Sequence, residues 1–176
     1  MRALALAIGL FLLPPLAVAQ NDEPASRVII GELFPLADAC YQNARDGLTG
    51  GDGLLPCNQS LDSEPLTNRR RAVVHANRGV VQYNSGDYAA AISDFTAALD
   101  LRVYATSQVH ANRGLAYEVL HFEALARGDY QKALTINPKN DLAARRLAEL
   151  DKPFLERSQI PRRITAEAPA EVPEGS

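Results

Sequence analysis

The chain of 176 residues has no tryptophan, only three histidines and only two cysteines. Each scarcity removes a class of chemistry. His75, His110 and His121 are the whole histidine complement, and no catalytic constellation is built around them. Cys40 and Cys57 are too far apart in sequence for a C-x-x-C motif, and nothing beside them marks an activated thiol, so redox catalysis is poorly supported. The glycine cluster Gly50-Gly51-Asp52-Gly53 lacks the lysine and the serine or threonine that a phosphate-cradling loop requires. Strong charge of either sign is also missing. With 18 basic and 21 acidic residues the formal charge is −3, which argues against nucleic acid as the main partner. Three short basic runs, Arg69-Arg70-Arg71, Arg145-Arg146 and Arg162-Arg163, read as solvated faces or helix starts. Beyond the first 19 residues no apolar run is long enough to cross a membrane.

Those first 19 residues have the layout of a secretory signal. Arg2 supplies the positive start, residues 3–13 the apolar core, and Ala17-Val18-Ala19 the small-residue cleavage site. Pro14-Pro15 interrupts the run. Cleavage near Ala19 would remove one positive charge and leave a periplasmic or secreted chain of one domain's size, with no stable membrane span.

The strongest feature of the remainder is a repeat. His75-Ala76-Asn77-Arg78-Gly79 returns at positions 110–114 as His110-Ala111-Asn112-Arg113-Gly114. The match continues: Ala91, Phe95, Ala98 and Leu99 in one copy answer to Ala126, Tyr130, Ala133 and Leu134 in the next, and Pro138 closes the second. Gly86-Asp87 is a turn signal between two apolar-periodic stretches, residues 72–85 and 88–101. In the second copy the corresponding stretches are residues 107–121 and 123–135, with Asn137-Pro138 as the stop.

This pattern resembles the tetratricopeptide repeat, whose unit of about 34 residues reads W-x2-L-G-x2-Y, then A-x3-F, then A and P. The departures are local. His75 and His110 stand at the tryptophan site, Arg78 and Arg113 at the leucine site, Gln82 at the tyrosine site and Val103 at the closing proline. A weaker copy lies upstream, with Cys57 at the aromatic site and Cys40 facing it, lengthened by residues 68–71. A half copy, residues 141–150, has the offsets of a capping helix. The resemblance implies an all-α fold, an α-solenoid of about three antiparallel hairpins with a cap. Its units are residues 32–67, 68–105, 106–140 and 141–152, after a flexible lead of 20–31 and before an extended or disordered tail of 153–176. The tail beyond residue 166 is rich in Pro, Glu and Ala, a composition that disfavours a packed core.

Three sets of residues follow from the repeat register. Cys40 and Cys57 face one another on paired helices, close enough for a disulfide in an oxidising compartment. It would staple a hairpin whose connecting residues 47–53 hold four glycines and pack little. Arg78 with Asp94 and Arg113 with Asp129, each sixteen residues apart, are expected to form ion pairs inside their hairpins, because an unpaired buried charge is costly. His75 and His110, as equivalent sites on neighbouring hairpins, read as packing residues in place of tryptophan rather than as metal ligands. In the family the first helix of each hairpin lines a concave groove. On that face stand Val73, Ala76, Val80 and Tyr83, then Gln108, Ala111, Leu115 and Glu118, then Leu142, Arg145 and Glu149 of the cap; Asp38, Gln42 and Arg45 are their upstream equivalents. The implied function is protein–protein interaction, as an adaptor or assembly factor of the bacterial cell envelope, binding a protein or peptide and using no cofactor, metal or catalytic residue. Two other readings stand beside it: a thiol-redox enzyme using Cys40 and Cys57, and a module that closes its groove by self-association.

Overall fold

A computed structural model of the protein describes residues 34–103, 106–164 and 166. The signal-like segment, the lead that follows it and nearly all of the Pro/Glu/Ala-rich end lie outside the described residues. Among the described residues there are seven α-helices and no strand: α1 (Pro35–Arg45), α2 (Gly50–Ser63), α3 (Asn68–Asn84), α4 (Tyr88–Asp100), α5 (Ser107–Val119), α6 (Glu123–Ile136) and α7 (Asp141–Leu150). A short 3-10 turn, Phe154–Glu156, follows α7. The helices pack in consecutive pairs, α1 on α2, α3 on α4 and α5 on α6, with α7 against α6. This is an α-solenoid.

Helix starts are set by polar caps. The side chains of Thr67, Asp87, Thr106 and Asn140 accept from the main-chain N–H groups of Arg70, Ala90, Val109 and Ala143, each satisfying one of the donors a helix leaves unpaired at its start. The cap at Thr67 also corrects one expectation. Residues 68–71 are no insertion between units; they form the first turn of α3, because Thr67 begins the helix four residues before the apolar period does.

Small residues set the spacing within the two central hairpins. A Cβ on Gly79 would sit 2.8 Å from the Phe95 ring, and one on Gly114 would sit 2.7 Å from the Tyr130 ring. The absent methyl group lets each ring lie flat against the opposing helix. Phe95, Tyr130 and the alanines Ala91, Ala98, Ala126 and Ala133 are fully buried in one continuous core.

The first hairpin is built differently. Cys40 and Cys57 are joined as a disulfide, with Cα atoms 4.7 Å apart and both residues fully buried. As composition suggests, residues 48–52 pack little: all are exposed, and a Cβ on Gly50 or Gly51 would meet nothing. Only positions 46–49 form the turn. Gly50 to Gly53 open α2, and Gly53 is buried so tightly that a Cβ there would lie 2.9 Å from Val81. Pro56, inside α2, cannot donate to the carbonyl of Asp52. The side-chain amide of Asn43 on α1 supplies that bond instead, donating to the carbonyls of Asp52 at 3.4 Å and Gly53 at 3.2 Å.

Candidate functional site

Two polar constellations repeat with the period of the fold. In the first, the Arg78 guanidinium grips Asp94 with two bonds, Nε to Oδ2 at 2.7 Å and Nη2 to Oδ1 at 2.8 Å, while His75 Nδ1 meets Oδ1 at 2.8 Å. In the second, Arg113 grips Asp129 at 2.8 and 2.9 Å, and His110 Nδ1 meets it at 2.9 Å. The third arm of each arginine reaches the preceding hairpin: Arg78 Nη1 donates to Asn58 on α2, and Arg113 Nη1 to Thr96 on α4. Each node therefore ties the two helices of its own hairpin and also the hairpin before it. Burial alone pushes the carboxyls of Asp94 and Asp129 up. The bonds from the histidine and then the arginine outweigh it, so both are held below the usual carboxylate range. The histidines at the tryptophan site are thus hydrogen-bonded members of a polar node rather than plain packing residues. The signal for this was present as a spacing, His75 to Asp94 and His110 to Asp129 both being nineteen residues apart.

The concave face is where sequence and structure part most. Ala76, Val80, Tyr83, Ala111, Leu115 and Glu118 are all buried. They are no open groove surface. The chain's own residues 157–164 lie across the groove in extended form. Arg157 anchors the start of this segment, bonding Glu123 at 2.6 Å and the carbonyls of Lys152 and Leu150. The Ser158 N–H donates to Glu149 at 2.7 Å. Arg146 donates to the carbonyls of Ser158 and Gln159. The Tyr83 hydroxyl donates to the Pro161 carbonyl. Asn84 then holds Ile164 by both main-chain groups, its Nδ2 donating to the carbonyl at 2.8 Å and its Oδ1 accepting from the N–H at 2.9 Å. Ile164 joins the core, with Ile160 and Ala166 packed against it. Arg163 comes within 3.9 Å of where a Cβ on Gly47 would stand, so the segment reaches the α1–α2 turn. Of the two states expected for the tail, residues 158–164 take the extended one, held on the groove. Phe154 and Leu155, just before this segment, are exposed at 65% and 95% and do not fill the groove.

A buried ion pair underlies this segment. Glu118 of α5 accepts from Arg146 of α7 through both its oxygens and from the Tyr130 hydroxyl at 2.8 Å. Burial, followed by the Glu118 charge, pushes the Tyr130 hydroxyl far above its ordinary pKa, so it remains a donor. Arg146 thus has one end on Glu118 and the other on the tail. Sequence reasoning chose its neighbour Arg145, which is exposed and pairs with Asp141 at 3.1 Å. Leu142 and Arg145 line a cavity of about 460 Å³ together with Ser158, Gln159 and Pro161. Val73 and Gln108 are half-buried, and Gln108 donates to Asn112 at 2.9 Å. Of the upstream positions, Asp38 and Gln42 are exposed, and Arg45 is exposed and bonded to Asp46 at 2.8 Å. Among the described residues no helix is long and apolar enough to cross a membrane, and no three His, Cys, Asp or Glu side chains converge as a metal site would need.

Comparison with known proteins adds one relative. The chain is 32% identical to human tetratricopeptide repeat protein 6 over 84 residues, which is 48% of this chain and 15% of that protein. The chain therefore spans about a seventh of that relative's length. No family model matches the chain. No solved structure matches it.

Proposed function

We propose that this protein is an interaction module, an adaptor or assembly factor that binds a segment of another protein on the face formed by α3, α5 and α7. The observation behind this reading is that the face already holds an extended peptide segment, residues 157–164 of the same chain. A surface that binds one extended segment through its main chain has the chemistry to bind another. The likeness to a tetratricopeptide protein supports the same reading. Catalysis has less support: Cys40 and Cys57 are buried and joined to one another, leaving no exposed thiolate. The signal-like layout of residues 1–19 supports a role in the bacterial cell envelope, in the periplasm after cleavage near Ala19.

In-cell photo-crosslinking tests the binding reading. A crosslinkable residue in place of Val73 or Gln108, half-buried positions on the groove side of α3 and α5, should trap one dominant foreign protein. Adducts only with the same chain, or none, would refute it. N-terminal sequencing of the protein from a periplasmic fraction checks the location, with a start near Gln20 as the expected result.

A further inference from the structure

The way residues 157–164 are held is unusual for a chain end that belongs to the core. Its main chain is read at Ser158, Gln159, Pro161 and Ile164, by Glu149, Arg146, Tyr83 and Asn84. Those bonds do not depend on which side chains the segment carries. Gln159, Arg162 and Arg163 are exposed, and so is Ser158, although its hydroxyl also accepts from Arg146 at 3.1 Å. Ile164 is buried at 7% exposure and Ile160 is half-buried, both packed with the core; Arg157 and Pro161 are half-buried beside them. The segment lacks helical or sheet bonds of its own, so its order depends entirely on the groove. At about 3.3 Å per residue its seven steps from 157 to 164 cover about 23 Å, roughly two helix diameters of about 10–12 Å each.

We infer that this groove is a site for an extended peptide segment with apolar residues four positions apart, and that residues 158–164 occupy it as a displaceable competitor in cis. This rests on the interaction reading above and supplies its regulation. The two-point grip of Asn84 on the N–H and carbonyl of one residue imitates a strand partner and accepts any residue but proline at that position. Arg146 bonds Glu118 through Nε and Nη2 and the tail mainly through Nη1, so its anchor on Glu118 does not use the tail's atoms. A partner segment gains the same main-chain bonds as the tail. Because the tail is covalently attached, it competes at a high effective concentration, and a partner must exceed it in apolar contact or arrive where the tail is engaged elsewhere.

Two measurements on the full chain test this. The first is fluorescence anisotropy with a labelled peptide of residues 157–166, titrated with the wild-type chain and with the Ile160→Asp/Ile164→Asp chain. The altered tail cannot bury its charges, so the groove should open and bind the peptide at least tenfold tighter than wild type does. Adding Asn84→Ala should lower that binding about tenfold. Equal affinity for both chains, or no binding to either, overturns the inference. The second uses the unaltered chain. Amide hydrogen exchange at Ile164 and Ser158 should run at least a hundredfold faster than in α5 and α6, because the tail detaches while the helices stay folded. Protection equal to that of α5 would make the tail part of the core and would also overturn the inference, even if the double variant failed to fold. If the tail proves fixed but crosslinks from Gln108 still trap a foreign protein, the interaction reading stands and only the competition falls. If neither peptide nor foreign protein is captured, both fall.

Discussion

The first hairpin and the two that follow it solve one packing problem by different means. In the central hairpins an aromatic ring lies on a glycine, Phe95 on Gly79 and Tyr130 on Gly114, and a His–Asp–Arg node ties each unit to the one before. The first hairpin has neither ring nor node. Cys40 and Cys57 stand in their place and are joined covalently. The difference follows from position. A central unit has neighbours on both sides, so a branched arginine bond is useful in two directions. Among the described residues the first hairpin packs on one neighbour, and there a covalent bond stands in for the ring and the node. The disulfide closes a short loop, with a separation of seventeen residues, worth on the order of 3 kcal/mol through the unfolded chain.

Breaking a node should have the largest effect. Asp129→Ala strips both Arg113 and His110 of their shared partner in a buried site, and should cost about 3–5 kcal/mol in denaturant unfolding. A loss under 1 kcal/mol would mean that water replaces the carboxylate. Removing the disulfide with Cys40→Ala/Cys57→Ala should cost about 3 kcal/mol, and the loss should be local. Hydrogen exchange would rise in α1 and α2 while α5 and α6 stay protected; uniform loosening would show that the stack unfolds as one unit. Gly114→Ala should cost about 1–3 kcal/mol, since the added methyl meets the Tyr130 ring at 2.7 Å. The comparable change in the first hairpin, Gly51→Ala, meets nothing and should be within about 0.5 kcal/mol of neutral.

Acid separates the two designs without mutation. Asp94 and Asp129 bind protons less readily when folded than when unfolded, because the histidine and arginine bonds overcome their burial. Their contribution is complete above the unfolded value of about 3.9 and is lost as pH falls through the lower folded values. Denaturant midpoints should therefore fall as pH drops below about 4, and Asp94→Asn/Asp129→Asn should flatten that slope. The disulfide has no such dependence. A small effect of the opposite sign concerns the turns. Gly86 and His121 occupy the same place in successive units, with φ of 85° and 62°. Glycine adopts that conformation without a Cβ clash, so His121→Gly should raise stability by about 0.5–1 kcal/mol, read as a small rise in melting temperature.

Much of the fold was legible because its determinants are local. A glycine, an alanine and an aromatic at fixed offsets specify a helix hairpin within about 35 residues, and sixteen residues between arginine and aspartate place them on facing helices. Gly50 to Gly53 were harder: glycine disfavours helix, and only the Asn43 bonds and the fit against Val81 explain why a helix begins there. The groove was legible in position but not in state. Val80, Tyr83 and Leu115 lie on the face that the repeat register names, yet the structure buries them. Asn84 and Arg146, which hold the tail, each stand one residue from a position that the register selects.

The sequence by itself determined the helical repeat, the hairpin spacing and the chemistry of each hairpin's interior, since short-range periodicity encodes them. Only the tertiary structure decided that residues 157–164 close the groove. Their contacts to Tyr83 and Asn84 span 78 and 80 residues and are made chiefly by the main chain. Every residue but proline offers the same N–H and every residue the same carbonyl, so such contacts leave no pattern in the side chains.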